Sequence, residues 1–172
     1  MSKLSLAVFL VFAIQTLCAQ SYGIGRPATE AEIESLDVTI GPEGRELPDG
    51  SGSVQEGAQV YEVRCKECHG ESGAGGDHAA LVGNPEQLKQ APPIKTVGSF
   101  WPYATTLFDY TRRAMPFEEP GTLTDDQIYA VTAYVLHING IVDENATLDR
   151  ESLPKVEMPN RGGFVRDPRS KP

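Results

Sequence analysis

The sequence predicts an all-α domain with irregular extensions at both ends. Two capping boxes, Ser53-Val54-Gln55-Glu56 and Thr124-Asp125-Asp126-Gln127, each open a run of apolar residues at helical spacing. No segment alternates apolar and polar residues as a half-buried strand would. The 17 Gly and 13 Pro of the 172 residues fall mostly between and outside the periodic runs, which makes the connections long.

Residues 20–52 form a Gly/Pro-punctuated N-terminal extension, with one short helical stretch at Thr29–Leu36. The first main helix starts at Ser53. Val54, Ala58, Tyr61 and Cys65 share one of its faces. Gly57 costs that helix stability, and a close helix crossing would explain it. A middle helix runs from about Pro102, which suits a first turn, to Ala114, with Leu107, Phe108 and Tyr110 as apolar contacts. Met115-Pro116 stops it. The last helix starts at Thr124, carries Asp125 and Asp126 where the helix dipole favours acids, and turns Ile128, Val131, Val135 and Ile138 to one side. Asn139-Gly140 ends it. Residues 141–172 are an irregular, Pro-rich C-terminal extension.

Composition narrows the class. Hydrophobic residues at 40% and charged residues at 23% are those of a folded chain. With 15 basic against 24 acidic residues and a net charge of −9, nucleic acid and anionic membrane surfaces are poor partners. Residues 1–19 read as a cleavable export signal: Lys3, the apolar run Leu4–Leu17, and a small residue at Ala19. Cys18 lacks the small preceding residues of a lipid-attachment site. The expectation is a periplasmic protein with no stable membrane insertion after cleavage. Cleavage removes Lys3 and no acid, so the mature chain is more acidic by one charge. It also leaves Cys65 and Cys68 as the remaining cysteines.

Those two stand in Cys65-Lys66-Glu67-Cys68-His69, the C-x-x-C-H signature of covalent haem attachment. Two thiols on one helical turn can each add to a vinyl group of the same porphyrin, and the next residue offers an imidazole to the iron. A thioredoxin-like dithiol would leave His69 unexplained, and a structural zinc site would lack ligands at finger spacing. The expected cofactor is one haem c, and it would fill a core that the loop-rich stretches 70–84 and 91–100 could not. For the sixth iron position the mature chain offers Met115, Met158, His78 and His137. Met115 is favoured because it stands in a Met-Pro pair just before the last helix. Met158 lies in the tail, His78 in a Gly-rich loop, and His137 near a helix end.

Helix, C-x-x-C-H, loops, Met-Pro, helix is an order similar to that of class I cytochromes c, over residues 53–140. The resemblance implies that fold, with first and last helices crossing and Gly57 near Tyr134. It implies that Cys65 and Cys68 carry the thioethers, that His69 is the proximal iron ligand and Met115 the distal one. The family often has a Pro two residues before the Leu of the loop after the motif, whose carbonyl holds the proximal His. Here Ala79 stands two before Leu81.

A narrower resemblance spans most of the mature chain. Lys95 to Tyr110 (KTVGSFWPYATTLFDY), Arg112-Arg113-Ala114-Met115-Pro116, Ile128 to Tyr134 (IYAVTAY) and Leu153 to Arg161 (LPKVEMPNR) resemble the cytochrome subunits of Sox-type sulfane dehydrogenases (SoxD) and of sulfite dehydrogenases. That implies a molybdopterin sulfur-compound dehydrogenase subunit as electron donor and a respiratory-chain cytochrome c as acceptor. The chain is then an electron-transfer subunit without catalytic residues of its own. The alternative is a haem enzyme acting directly on a small sulfur compound, which Met115 would hinder by closing the iron. Arg112 and Arg113, beside the ligand loop, read either as solvated charge or as contacts to a haem propionate or partner. The apolar anchors of the extensions, Ile33, Leu36 and Val38 before the core and Leu148, Leu153, Val156, Met158 and Phe164 after it, suit a strap laid on another subunit, residues 53–140 then sufficing for the core; the alternative is that the extensions wrap their own domain.

Overall fold

The computed structural model describes residues 24–169. The expected leader, residues 1–19, lies outside the described residues. The chain divides into two units, residues 1–37 and 38–172. Within the first, helix α1 (Glu30–Leu36) is opened by a capping box between Thr29 and Glu32. Arg26 and Thr29 together hold the Glu32 carboxyl down at about 2.

The second unit is built on three main helices: α2 (Val54–Arg64), α4 (Ala104–Ala114) and α5 (Asp125–Ile138). A single turn, α3 (Lys66–His69), follows α2. Both capping boxes read from the sequence form, Ser53 with Glu56 and Thr124 with Gln127. Helices α2 and α5 cross so closely that a Cβ on Gly57 would lie 1.9 Å from the Ala130 carbonyl oxygen and 2.8 Å from the Tyr134 Cβ. Only glycine permits this approach. Gly52 meets the same spot, where a Cβ would lie 2.2 Å from the Ala130 amide nitrogen. Tyr61 and Tyr134 stack beside the crossing with ring centroids 5.1 Å apart. Helix α4 packs on α5 through Phe108 and Tyr129, centroids 4.5 Å apart, both fully buried.

Helix α4 begins at Ala104, two residues later than Pro102 suggested. Tyr103 is extended instead, and its ring lies 4.5 Å under the Arg161 guanidinium. The structure also contains two strands that the sequence did not announce. Strands β1 (Ser51–Ser53) and β2 (Thr147–Asp149) pair antiparallel, Gly52 opposite Leu148. Three residues are too few for a period-2 pattern to emerge. The Ser51 amide donates to Asp126 Oδ1 at 2.9 Å, which ties β1 to the start of α5.

The flanking segments of this unit are part of its core. Ile40 and Leu47 before α2, and Leu148, Leu153 and Met158 after α5, are all buried with the helix residues. Of the two readings of the C-terminal extension, this burial favours the one in which Leu148, Leu153 and Met158 wrap their own domain. Each fully buried Leu contributes roughly 1.5–3 kcal/mol of apolar burial that the helices alone would leave exposed. Polar links reinforce the packing. The Ile40 amide donates to Asp109 Oδ1 at 3.1 Å, and Asn160 Nδ2 donates to the Phe100 carbonyl at 2.7 Å. Arg150 joins Asp49 across the two segments at 2.8 Å. Phe164 remains more than half exposed, its ring edge against Phe100.

Candidate haem site

Helix α2 breaks at Cys65, whose φ of −128° leaves the helical range. The turn after it is still tightly wound: the His69 amide donates to the Cys65 carbonyl at 2.9 Å and the Cys68 amide reaches the same oxygen at 3.2 Å. Two thiols and one imidazole therefore leave a single turn. Both cysteines are free; Cys65 is half-buried against the core and Cys68 is exposed. Burial, the largest effect, pushes the Cys65 thiol up to about 11.

Gly70 ends the turn with φ +76° and lies against the backbone of Gly75, where a Cβ would meet the Gly75 oxygen at 2.2 Å. The loop then doubles back. Gly75 donates to the His69 carbonyl at 2.8 Å and His78 to the Cys68 carbonyl at 3.0 Å. Tyr61 Oη braces the turn from α2 by donating to the Gly70 carbonyl at 2.9 Å. This folding-back brings the Ala79 carbonyl to 3.0 Å from His69 Nδ1. The carbonyl that the family takes from Pro is supplied here by Ala. A carbonyl accepts only from a protonated nitrogen, so Nδ1 carries the hydrogen and the Nε2 lone pair is left for a metal.

Met115 is the residue after α4, with its amide donating to the Thr111 carbonyl at 3.1 Å, and it is half-buried. Met158 is buried in the core with 3% exposure. His137 is engaged locally, its Nδ1 at 3.2 Å from the Val142 carbonyl. His78 lies near His69, ring centroids 6.4 Å apart, on the exposed loop. Arg112 and Arg113 find partners within the chain: Arg112 Nε lies 3.4 Å from Asp125, and Arg113 Nε donates to the buried Asp109 at 3.0 Å. Among the described residues no group of three or more His, Cys, Asp or Glu could hold a metal ion, so a zinc site has no donor set. Leu81, Trp101 and Leu123 pack on the core yet stay half-buried, leaving apolar surface on the connections between α3 and α5. One imidazole with a free Nε2, two thiols on its own turn, and apolar loops together fit a haem. They do not fit a bare ion.

Sequence reasoning overlooked one contributor: Tyr61 was counted only as part of an apolar face, not for its hydroxyl. The Ala79 carbonyl, expected from its place two before Leu81, does hold His69 Nδ1 although no Pro stands there.

The comparisons agree with this geometry. The family "Cytochrome C oxidase, cbb3-type, subunit III" matches residues 52–135, from the capped start of α2 to the middle of α5. No curated protein matches. The chain belongs to the class I cytochromes c: an electron-transfer protein whose cofactor is haem c. More particularly, it is similar to a chain in the crystal structure of the sulfane dehydrogenase SoxCD from Paracoccus pantotrophus. The identity is 39% and the TM-score 0.76, over 87% of this chain and 74% of that one. No helix among the described residues is long and apolar enough to cross a membrane.

Proposed function

We propose that this chain is the periplasmic electron-transfer subunit of a molybdenum dehydrogenase acting on a sulfane or sulfite compound. It carries one haem, covalently bound through Cys65 and Cys68, with His69 and Met115 as axial iron ligands, and passes electrons to a respiratory-chain cytochrome c. The observation that carries the reading is the likeness to the SoxCD chain, which extends over 87% of this chain and so includes flanking segments as well as helices.

When bound, the haem supplies a one-electron ferric/ferrous couple whose potential the axial ligands set. The chain's own residues do the rest. Ala79 holds the Nδ1 proton of His69 and so fixes the ring with Nε2 outward. Tyr61 steadies the turn that carries the imidazole. Met115, at the stop of α4, offers a thioether, which stabilises ferrous iron and closes the site to small ligands. Leu81, Trp101 and Leu123, half-buried against the core, would keep water from a bound macrocycle.

The test is to co-express the chain with the molybdenum subunit of its own organism. The haem should survive acid-acetone extraction on the polypeptide. It should be reduced on adding sulfite or a protein-bound sulfane only when the molybdenum subunit is present. Reduction without that subunit, together with rapid carbon monoxide binding, would instead identify a haem enzyme acting on sulfur compounds directly.

A further inference from the structure

Residues 115–123, between α4 and α5, carry Met115 but little internal structure. Within the loop, the Glu119 amide donates to the Pro116 carbonyl and Thr122 Oγ1 to the Glu119 carbonyl. Phe117 is 75% exposed. Among the described residues, a polar link from the loop to the haem-attachment side is made by Arg64, the residue immediately before Cys65. Its Nη2 donates to Glu119 Oε2 at 2.9 Å and to Thr122 Oγ1 at 2.7 Å. Because Thr122 in turn donates to the Glu119 carbonyl at 2.8 Å, the three residues close a ring of hydrogen bonds. Arg112 pairs with Asp125 across the loop's ends, but it connects α4 to α5 and does not reach α2.

We propose that Arg64 is a positioning residue for the distal iron ligand: it clamps the methionine loop to the end of the haem-attachment helix and so holds Met115 on the iron. The clamp rests on the reading of Met115 as ligand. Its geometry explains why a single exposed pair matters here. A surface ion pair alone is worth little, but this guanidinium makes two bonds to two points of one short loop and ties both to the helix that presents Cys65. Thioether ligation of iron is weak and depends on keeping the sulfur in place. A loop freed at Glu119 and Thr122 would release it more often, and each release opens the sixth position.

The experiment uses the full-length, haem-loaded protein and follows carbon monoxide binding to the ferrous form and the red charge-transfer band of the ferric form. Arg64→Gln should speed carbon monoxide association about tenfold, which corresponds to ~1.4 kcal/mol of lost closure, and weaken the charge-transfer band. Arg64→Lys should restore part of the closure. Arg64 adjoins the attachment motif, so Glu119→Gln combined with Thr122→Val provides the same test from the loop side with the motif intact. Adding Arg64→Gln to that pair should change little further. Arg150→Gln, which breaks an ion pair touching no residue of the loop, should leave both readouts as in the parent. If the loop-side variant binds carbon monoxide at the parent rate while Met115→Ala binds it fast, the clamp is refuted and Met115 stands as ligand. If Met115→Ala itself changes neither readout, ligand assignment and clamp fall together.

Discussion

The backbone of Gly57 rests on the carbonyl of Ala130, with room between them for a hydrogen and nothing larger. A Cβ there would stand 1.9 Å from the Ala130 oxygen. Replacing Gly57 by Ala gains about 1 kcal/mol of helix propensity. It also drives α2 and α5 apart, against backbone that cannot yield. Overpacking of this kind costs about 1–3 kcal/mol. With the obstacle being backbone, the cost lies at the upper end of that range, and Gly57→Ala should be destabilising on balance by ~2 kcal/mol. Chemical denaturation of the haem-loaded protein, followed in the haem absorbance, measures it; a midpoint at or above the parent's would contradict the crossing.

The two methionines should part company. Met115→Ala should abolish the ferric charge-transfer band of thioether-bound haem and lower the reduction potential. Met158→Ala should leave both unchanged and lower stability by ~2–5 kcal/mol, because Met158 is a buried core side chain. Spectroscopy and denaturation on the same two variants distinguish ligand from filler.

Alkaline pH should unfold the protein through its buried tyrosines. Burial, the largest cause for both, pushes Tyr61 and Tyr129 up to about 12 from an ordinary value near 10. Between those limits the unfolded chain has shed these protons and the folded chain has kept them, so stability falls as pH rises through that window. Tyr61→Phe removes one of the two groups and should flatten the decline between pH 10 and 12, while losing the hydroxyl's bond to the Gly70 carbonyl at all pH values. Denaturation midpoints taken across the alkaline range test this.

Electron transfer to a basic acceptor cytochrome should slow as salt is added. The chain carries a net charge of −9, and the steering such a field provides is largely screened once the Debye length falls to ~8 Å. Stopped-flow rates that stay flat from low to high ionic strength would rule steering out.

Truncation after Gly140 should not yield a sound haem protein. It removes Leu148, Leu153 and Met158 from the core and the partner of β1. The shortened chain should accumulate poorly or lose its native haem spectrum; a stable, spectrally normal product would return the segment to the role of an external strap.

The sequence was clearest where the determinants are local. Capping boxes at Ser53 and Thr124 announced α2 and α5 because a cap is made by side chains three residues apart. A mid-helix glycine is costly without a close neighbour, so Gly57 announced a helix crossing; that the crossing lies near Tyr134 came from the resemblance to class I cytochromes c. The start of α4 was misplaced by two residues because Tyr103 caps the helix in extended geometry, its ring under Arg161, a residue far along the chain. The burial of Leu148, Leu153 and Met158 left no trace, since a segment broken by prolines has no period to read. The Arg64 ring was equally invisible: Glu119 and Thr122 lie more than a helix and two loops away in sequence.

The pairing of Ser51–Ser53 with Thr147–Asp149 bears on the order in which the molecule is completed. Its strands enclose nearly the whole cytochrome domain, and a contact that closes so long a loop repays its entropy only after the chain between has been compacted. As the polypeptide emerges, β1 is among the first elements out and β2 among the last. Helices α2, α4 and α5 and the turn bearing His69 all lie between the two strands, so the pairing is expected to close late, together with the burial of Leu148 in the core. In the finished protein these few hydrogen bonds act as a buckle. Their amide exchange would report when maturation has ended, separately from when the cofactor arrived.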